Sequence, residues 1–129
     1  MAVLDDMMPR RVALVFVGEA VGDESALQGH YYAKPGNLFW DDVFESGLTP
    51  IRLTPEQDWR LPGYGMGLTD IVKDLTNSQL KKEAYVSERW QERAAQLAER
   101  IQAAGPRVVC FNGLTCGMAC ARLLPLCPF

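Results

Sequence analysis

The sequence predicts an α/β protein, a three-layer αβα sandwich with a mostly parallel central sheet. Residues 11–17 and 107–111 are short apolar runs with β-branched side chains, which is typical of strands buried on both faces. Between them, residues 87–104 place Trp90, Ala94, Leu97 and Ile101 on one stripe of a helix that ends at Gly105-Pro106. Strands and helices that alternate in this way favour parallel pairing of the strands.

The composition is that of one globular domain spanning residues 1–129, of which 48% are hydrophobic. Thirteen Lys and Arg against sixteen Asp and Glu give a net charge of −3, which does not support non-specific nucleic-acid binding through a basic shell but allows a local basic patch. No apolar run is long enough to span a membrane, and residues 1–10 lack the pattern of a secretion signal. We expect a cytoplasmic monomer in which residues 1–10 form a flexible tail.

The remaining elements follow from turn and capping signals. The first strand should end in a turn at residues 18–22, and a long polar loop should follow as far as Gly36. Asn37 is a candidate N-cap for a helix over residues 38–46. An irregular stretch at residues 49–67 precedes a short strand at residues 68–72, and a last helix is predicted at residues 114–124.

A ligand pocket is expected at the carboxyl ends of the strands, where open α/β sheets bind their ligands. Residues 18–22, the loop through Tyr32, and Thr69 with Asp70 should meet at this edge.

All of the cysteines lie near the end of the chain, at Cys110, Cys116, Cys120 and Cys127. One hypothesis is a metal or iron–sulfur site built from thiolates. The spacing contains no C-x-x-C pair, however, and Cys116 and Cys120 are four residues apart on a predicted helix, so small buried thiols are the preferred interpretation. His30 is the only histidine, which gives a zinc site little support. We expect neither a metal nor another cofactor.

Residues 18–40 begin with Gly18-Glu-Ala-Val-Gly22 and end with Gly29-x-x-Tyr32-x-x-Pro35-x-Asn37-x-Phe39-Trp40. This pattern resembles the mismatch-specific uracil/thymine DNA glycosylases, a branch of the uracil-DNA glycosylase superfamily. The matching positions occur without a gap, at Gly18, Gly22, Ser25, Ala26, Gly29, Tyr32, Pro35, Asn37, Phe39 and Trp40. Residues 46–49 and 65–72 continue the likeness, which covers roughly residues 12–111 and implies a uracil-DNA glycosylase-like fold.

Two features depart from the pattern of that branch. Ala20 stands where those glycosylases carry an asparagine that positions or activates the attacking water. The turn as a whole is closer to the Gly-Glu-(Ala/Gly)-Pro-Gly turn of the thermostable iron–sulfur uracil glycosylases. The cysteine arrangement of those enzymes is absent here. The Asn-Pro-Ser or His-Pro-Ser wedge that enters the duplex is also missing. The alternatives are a C-terminally truncated chain and a protein without that wedge.

The resemblance implies substrate-binding roles for Gly18, Ala20, Ser25, Tyr32 and Asn37. Tyr32 matches the aromatic residue that stacks on the flipped base, with a half-buried core tyrosine as the alternative. Ser25 would bond water or phosphate, or be a solvated loop serine. Asn37 is interpreted first as a helix cap that braces the loop.

A carboxylate must replace the missing asparagine if the protein is catalytic. Asp70 is the preferred water-activating residue, because some superfamily members that lack the turn asparagine carry an aspartate in this second segment. The alternative is a helix cap or an ion-paired carboxylate. Glu19 is the second catalytic candidate, and would otherwise only support the turn.

The resulting hypothesis is a monofunctional glycosylase that excises uracil from DNA containing uracil or a mismatch, since no lysine occupies an obvious nucleophile position. The main alternative is a truncated or degenerate homologue that binds DNA or a base without catalysis. A third hypothesis, a phosphate-binding nucleotide domain, has little support because no P-loop or Gly-x-Gly-x-x-Gly pattern is present.

Overall fold

The computed structural model describes residues 2–82 and 87–113. In this part of the chain three parallel strands form one sheet in the order β2-β1-β3: β1 at Leu14–Val21, β2 at Met66–Thr76 and β3 at Val108–Phe111. The helices are α1 (Asp23–Gln28), α2 (Phe39–Glu45), α3 (Asn77–Lys82) and α4 (Ser87–Ala104), together with a 3₁₀ helix at Pro55–Tyr64.

Both faces of the sheet are covered, which confirms the predicted three-layer α/β fold. On one face the apolar stripe of α4, including Leu97 and Ile101, packs against Val15 and Val17 of β1. On the other face Phe16 contacts Phe39, and both belong to a core cluster with Leu61 and Leu68. The alternation of residues 15–17 between the two clusters follows from the two-residue repeat of a strand.

Several boundaries differ from the sequence-based prediction. β1 continues to Val21 instead of ending at Gly18, because the pairs Gly18 with Asp70 and Ala20 with Val72 extend the parallel ladder. The expected polar loop contains the short helix α1, and the expected irregular stretch contains the 3₁₀ helix, which begins with a capping box between Thr54 and Gln57. Helix α3 was not predicted, whereas α4 has the predicted bounds.

The pairing of β2 with β1 is regular as far as Val72, which is also the end of the strand predicted at residues 68–72. This pairing advances one residue at a time until Ala20 pairs with Val72, and the next pair is Val21 with Thr76. Residues 73–75 therefore form an irregular insertion in the strand, which changes the direction of the side chains there.

The N-terminal segment is not a free tail. Met7 and Leu68 exchange two backbone hydrogen bonds at 3.0 and 2.8 Å, and the Val3 amide donates to the Lys73 carbonyl at 2.7 Å. The prediction of a flexible tail over residues 1–10 is wrong for this segment, because its backbone pairs with β2.

The predicted helix at residues 114–124 and Cys116, Cys120 and Cys127 lie outside the described residues. Cys110 on β3 is a half-buried free thiol. None of the described helices is long and apolar enough to cross a membrane.

Candidate active site

A cavity of about 390 Å³ opens at the carboxyl ends of β1 and β2, at the predicted edge of the sheet. Its lining includes the residues that were proposed for catalysis and substrate binding, together with Gly22: Gly18, Glu19, Ala20, Gly22, Ser25, Tyr32, Asn37 and Asp70. Thr69, which was expected at the same edge, does not line the cavity. The lining residues between positions 18 and 37 are called the β1 wall below.

The Asp70 side chain can extend to the cavity wall because Gly18 has no side chain at this point. The two residues pair across β1 and β2, and Asp70 Oδ1 occupies the space that a Cβ on Gly18 would need. The Tyr32 hydroxyl lies 3.3 Å from that same position. Gly18 therefore allows the carboxyl group and the phenol to meet at one point of the wall.

The Asp70 carboxyl group is almost completely buried, with its side chain 4% exposed. Its Oδ2 atom accepts no hydrogen bond from the described residues. Burial, and then the negative charge of Asp6, raise the pKa of Asp70 to about 6, while the cations Lys73 and Arg100 act in the opposite direction. At neutral pH Asp70 is an ionised carboxylate with a pKa suited to accepting a proton.

The charged groups next to Asp70 come from three separate parts of the chain. Lys73 Nζ lies 2.7 Å from Asp6 Oδ1 and 3.9 Å from Asp70 Oδ2. Arg100 on α4 pairs with Asp6 at 3.3 Å and donates through a terminal guanidinium nitrogen to the Asp70 carbonyl at 2.6 Å. Asp6, Asp70, Lys73 and Arg100 are called the charged cluster below.

Tyr32 forms part of the β1 wall in a strained backbone conformation, with φ at 53°. Its ring stacks on Phe39, with the ring centroids 3.9 Å apart and the planes inclined by 26°. The ring is half-buried and packs on the core cluster, as the alternative interpretation has it; Tyr32 also lines the cavity, and its stacking on a flipped base stays a prediction.

Hydrogen bonds to neighbouring segments fix the backbone on both sides of Tyr32. Buried Asp58 accepts from the Tyr31 amide at 3.0 Å and lies 3.2 Å from His30 Nδ1. The Trp40 indole donates to the Tyr31 carbonyl, and the Ser25 hydroxyl oxygen accepts from the Ala33 amide at 2.9 Å. These bonds hold a conformation that the isolated chain would disfavour.

Ser25 and Asn37 both line the cavity and both have structural partners. Ser25 is buried and accepts from the Ala33 amide, so it is not a solvated loop serine. The prediction of Asn37 as the N-cap is wrong, because α2 begins at Phe39 and Leu38 occupies the cap position; Asn37 Oδ1 instead accepts from the Phe39 amide at 2.9 Å, which braces the entry to the helix.

Glu19 and Ala20 lie on the last part of β1, where a turn was expected. Glu19 is half-buried on the wall. Ala20 is buried, and its methyl group adds no polar atom to the wall. Asp70 is in the middle of β2, so the interpretation of Asp70 as a helix cap is wrong, and its ion pair with Lys73 is the part of the alternative that the structure supports.

Other cavity residues were not singled out from the sequence for substrate binding. Tyr31, Asn77 and Asn112 line it, and so does Lys34, which the sequence suggested only as a source of positive charge. Asn77 begins the unpredicted helix α3, and Asn112 follows β3 at the same edge of the sheet. The parallel topology would have indicated Asn112, because it follows the third strand end.

No three His, Cys, Asp or Glu side chains within residues 2–82 and 87–113 lie close enough together to bind a metal ion. His30 contacts Asp58, as described above.

The family model of the uracil DNA glycosylase superfamily matches residues 6–124, which is most of the chain. The matched region contains all of the β1 wall and the charged cluster. The chain therefore belongs to the uracil DNA glycosylase superfamily.

Proposed function

We propose that this protein excises uracil from DNA by hydrolysis of the N-glycosidic bond, with Asp70 as the residue that activates water. The observation that carries the proposal is the position of Asp70, whose ionisable, nearly buried carboxyl group lies on the wall of the same cavity as the Tyr32 ring. The preference for mismatched uracil is part of the proposal and rests on the likeness of residues 18–40 to the mismatch-specific branch.

The size and lining of the cavity support the binding of a flipped pyrimidine. Its volume of about 390 Å³ lies within the range of small-molecule sites, which is about 300–1,000 Å³. Base stacking on an aromatic ring contributes about 1–3 kcal/mol, and Tyr32 offers such a ring. The amide groups of Asn37, Asn77 and Asn112 can hydrogen-bond the polar edge of a base.

The proposed reaction uses one water molecule and no covalent intermediate. The bond from C1′ to the base breaks, and its electron pair leaves with the uracil as an anion. The sugar gains positive charge, which the Asp70 carboxylate stabilises through space. Asp70 then takes a proton from the water whose oxygen bonds to C1′, leaving an abasic site.

Single-turnover release of uracil tests this assignment. Oligonucleotides with uracil in single strands, opposite guanine and opposite adenine are incubated with the protein, and abasic sites are then cleaved with alkali. We expect excision by the wild type and a loss of at least about 100-fold in Asp70→Asn. Asp74→Asn is the matched control, because Asp74 lies on the same strand, is half-exposed and pairs with Arg93.

The alternative is a homologue that binds DNA without catalysis, and Ala20 is the observation that favours it. Binding of uracil-containing DNA by the wild type with no excision would support this alternative and refute the proposal.

The monofunctional assignment has its own test, because the exposed residue Lys34 lines the cavity. A lyase would form a Schiff base through a lysine, which borohydride reduces to a stable protein–DNA adduct. We expect no adduct, and an adduct that disappears in Lys34→Gln would contradict the hydrolytic mechanism.

A further inference from the structure

We propose that Asp6 is a positioning residue for Asp70: it holds the cationic groups of Lys73 and Arg100 and so keeps the Asp70 carboxylate available to a water molecule in the cavity. This inference rests on the proposed role of Asp70 and assigns a function to the N-terminal segment.

The first observation is the distribution of the two cations. Lys73 Nζ is 2.7 Å from Asp6 Oδ1 but 3.9 Å from Asp70 Oδ2, so its close ion pair is with Asp6. The Nε atom of Arg100 also pairs with Asp6, at 3.3 Å, although the two groups are not aligned for a hydrogen bond. Both cations are thus near Asp70, but their side-chain ion pairs are made mainly with Asp6.

The second observation is the unsatisfied carboxylate oxygen. Asp70 Oδ2 is buried and accepts no hydrogen bond from the described residues, in spite of a lysine 3.9 Å away. A buried acceptor without a donor is costly, and such groups occur where a water or ligand completes the site. If Lys73 moved about 1 Å towards Asp70, it would occupy that acceptor and make Asp70 a weaker base.

The third observation is that Asp6 is rigidly held. The buried Thr69 hydroxyl donates to Asp6 Oδ1 at 2.8 Å, and the neighbouring residue Met7 is paired with Leu68 through the backbone. Tyr31 adds a further restraint, because its hydroxyl donates to the Asp5 carbonyl at 2.9 Å and accepts from Lys73 at 3.3 Å.

The electrostatic consequence follows from the charges around Asp70. The ionisable groups that face it from the N-terminal segment, the β1 wall, β2 and α4 are Asp6, Tyr31, Tyr32, Lys73 and Arg100. Removal of the Asp6 charge leaves two cations without their nearest anion, so they should stabilise the Asp70 carboxylate and lower its pKa. Removal of the Lys73 charge should have the opposite effect.

Carbon-13 NMR titration of the Asp70 carboxyl group measures these shifts without any need for activity. The Asp70 signal is assigned by its absence in Asp70→Asn, and the wild-type midpoint is expected near pH 6. We expect the midpoint to fall by about one pH unit in Asp6→Asn and to rise by about one in Lys73→Gln. Asp5→Asn is the matched control, because Asp5 is the exposed neighbour of Asp6 and the substitution removes the same charge.

Opposite shifts in Asp6→Asn and Lys73→Gln, with no shift beyond about 0.3 pH unit in Asp5→Asn, would support the positioning role. A midpoint in Asp6→Asn that matches the Asp5→Asn control, or that rises, would overturn it. The pH dependence of uracil excision should shift in the same directions. If the wild type excises no uracil, the proposed function fails, whereas the NMR midpoints still decide whether Asp6 controls Asp70.

Discussion

The β1 wall and the charged cluster meet at one cavity and contribute different properties to it. The β1 wall supplies mainly small residues and aromatic rings: Gly18 and Ala20 leave space, and Tyr31 and Tyr32 line the cavity. The charged cluster instead brings four ionisable side chains together, two of them from β2. Under the proposed mechanism, Asp70 on β2 takes the role for which Ala20 on the β1 wall has no polar atom.

The pH dependence of the free energy of unfolding tests the charged cluster separately from the β1 wall. The pKa of Asp70 is raised from 3.8 to about 6 in the folded protein. The folded state therefore binds more protons than the unfolded state between about pH 4 and pH 6, and the free energy of unfolding falls as the pH rises through this window. A difference of this size corresponds to at most about 3 kcal/mol, and the loss is complete above pH 6.

Urea unfolding of the wild type and Asp70→Asn across pH 4–8 checks this expectation. Relative to the variant, the wild type should lose stability between pH 4 and pH 6 and then remain constant. Parallel curves for the two proteins would show that Asp70 titrates normally and that burial does not perturb it.

Substitution of Gly18 tests the point where the two regions meet. In Gly18→Ala the new Cβ would collide with Asp70 Oδ1, so the carboxyl group must shift. A displacement of about 1 Å at a reacting group can cost about 100-fold in rate, so we expect a loss of this order in single-turnover uracil release. Gly63→Ala is the matched control, because a Cβ at Gly63 meets no atom within 4 Å and should leave the rate unchanged. Equal rates in Gly18→Ala and Gly63→Ala would show that uracil release does not require the close approach of Asp70 to Gly18.

Tyr32 tests the contribution of the β1 wall alone. Tyr32→Leu removes the ring that would stack on a flipped base, and should raise the DNA concentration for half-maximal single-turnover rate by about tenfold, within the 1–3 kcal/mol of a stacking contact. Tyr32→Phe keeps the ring and should change this concentration by less than about threefold. If Tyr32→Leu and Tyr32→Phe require the same DNA concentration for half-maximal rate, the Tyr32 ring does not stack on the base and serves only to pack on Phe39 in the core.

The sequence predicted the layers, α4 and most residues of the β1 wall, though not Tyr31 or Lys34 as substrate-binding residues, because these features depend on local periodicity, on the common edge at which parallel strands end and on the resemblance of residues 18–40. Asp70 was predicted as well, but its charged neighbours Asp6, Lys73 and Arg100 were not. Asp70 and Lys73 are three residues apart, so a regular strand would place them on opposite faces, and only the irregular pairing after Val72 brings them together. Asp6 was assigned to a flexible tail, since its backbone pairing with β2 is a long-range contact without a local signal.

The central claim is that Asp70 acts as the proton acceptor, and the pH–rate profile tests it most directly. Single-turnover uracil release by the wild type should rise about tenfold per pH unit at low pH and level off above the Asp70 pKa of about 6. Asp70→Asn should show a low rate with no inflection near pH 6. A flat wild-type profile, or an unchanged inflection in Asp70→Asn, would contradict the assignment.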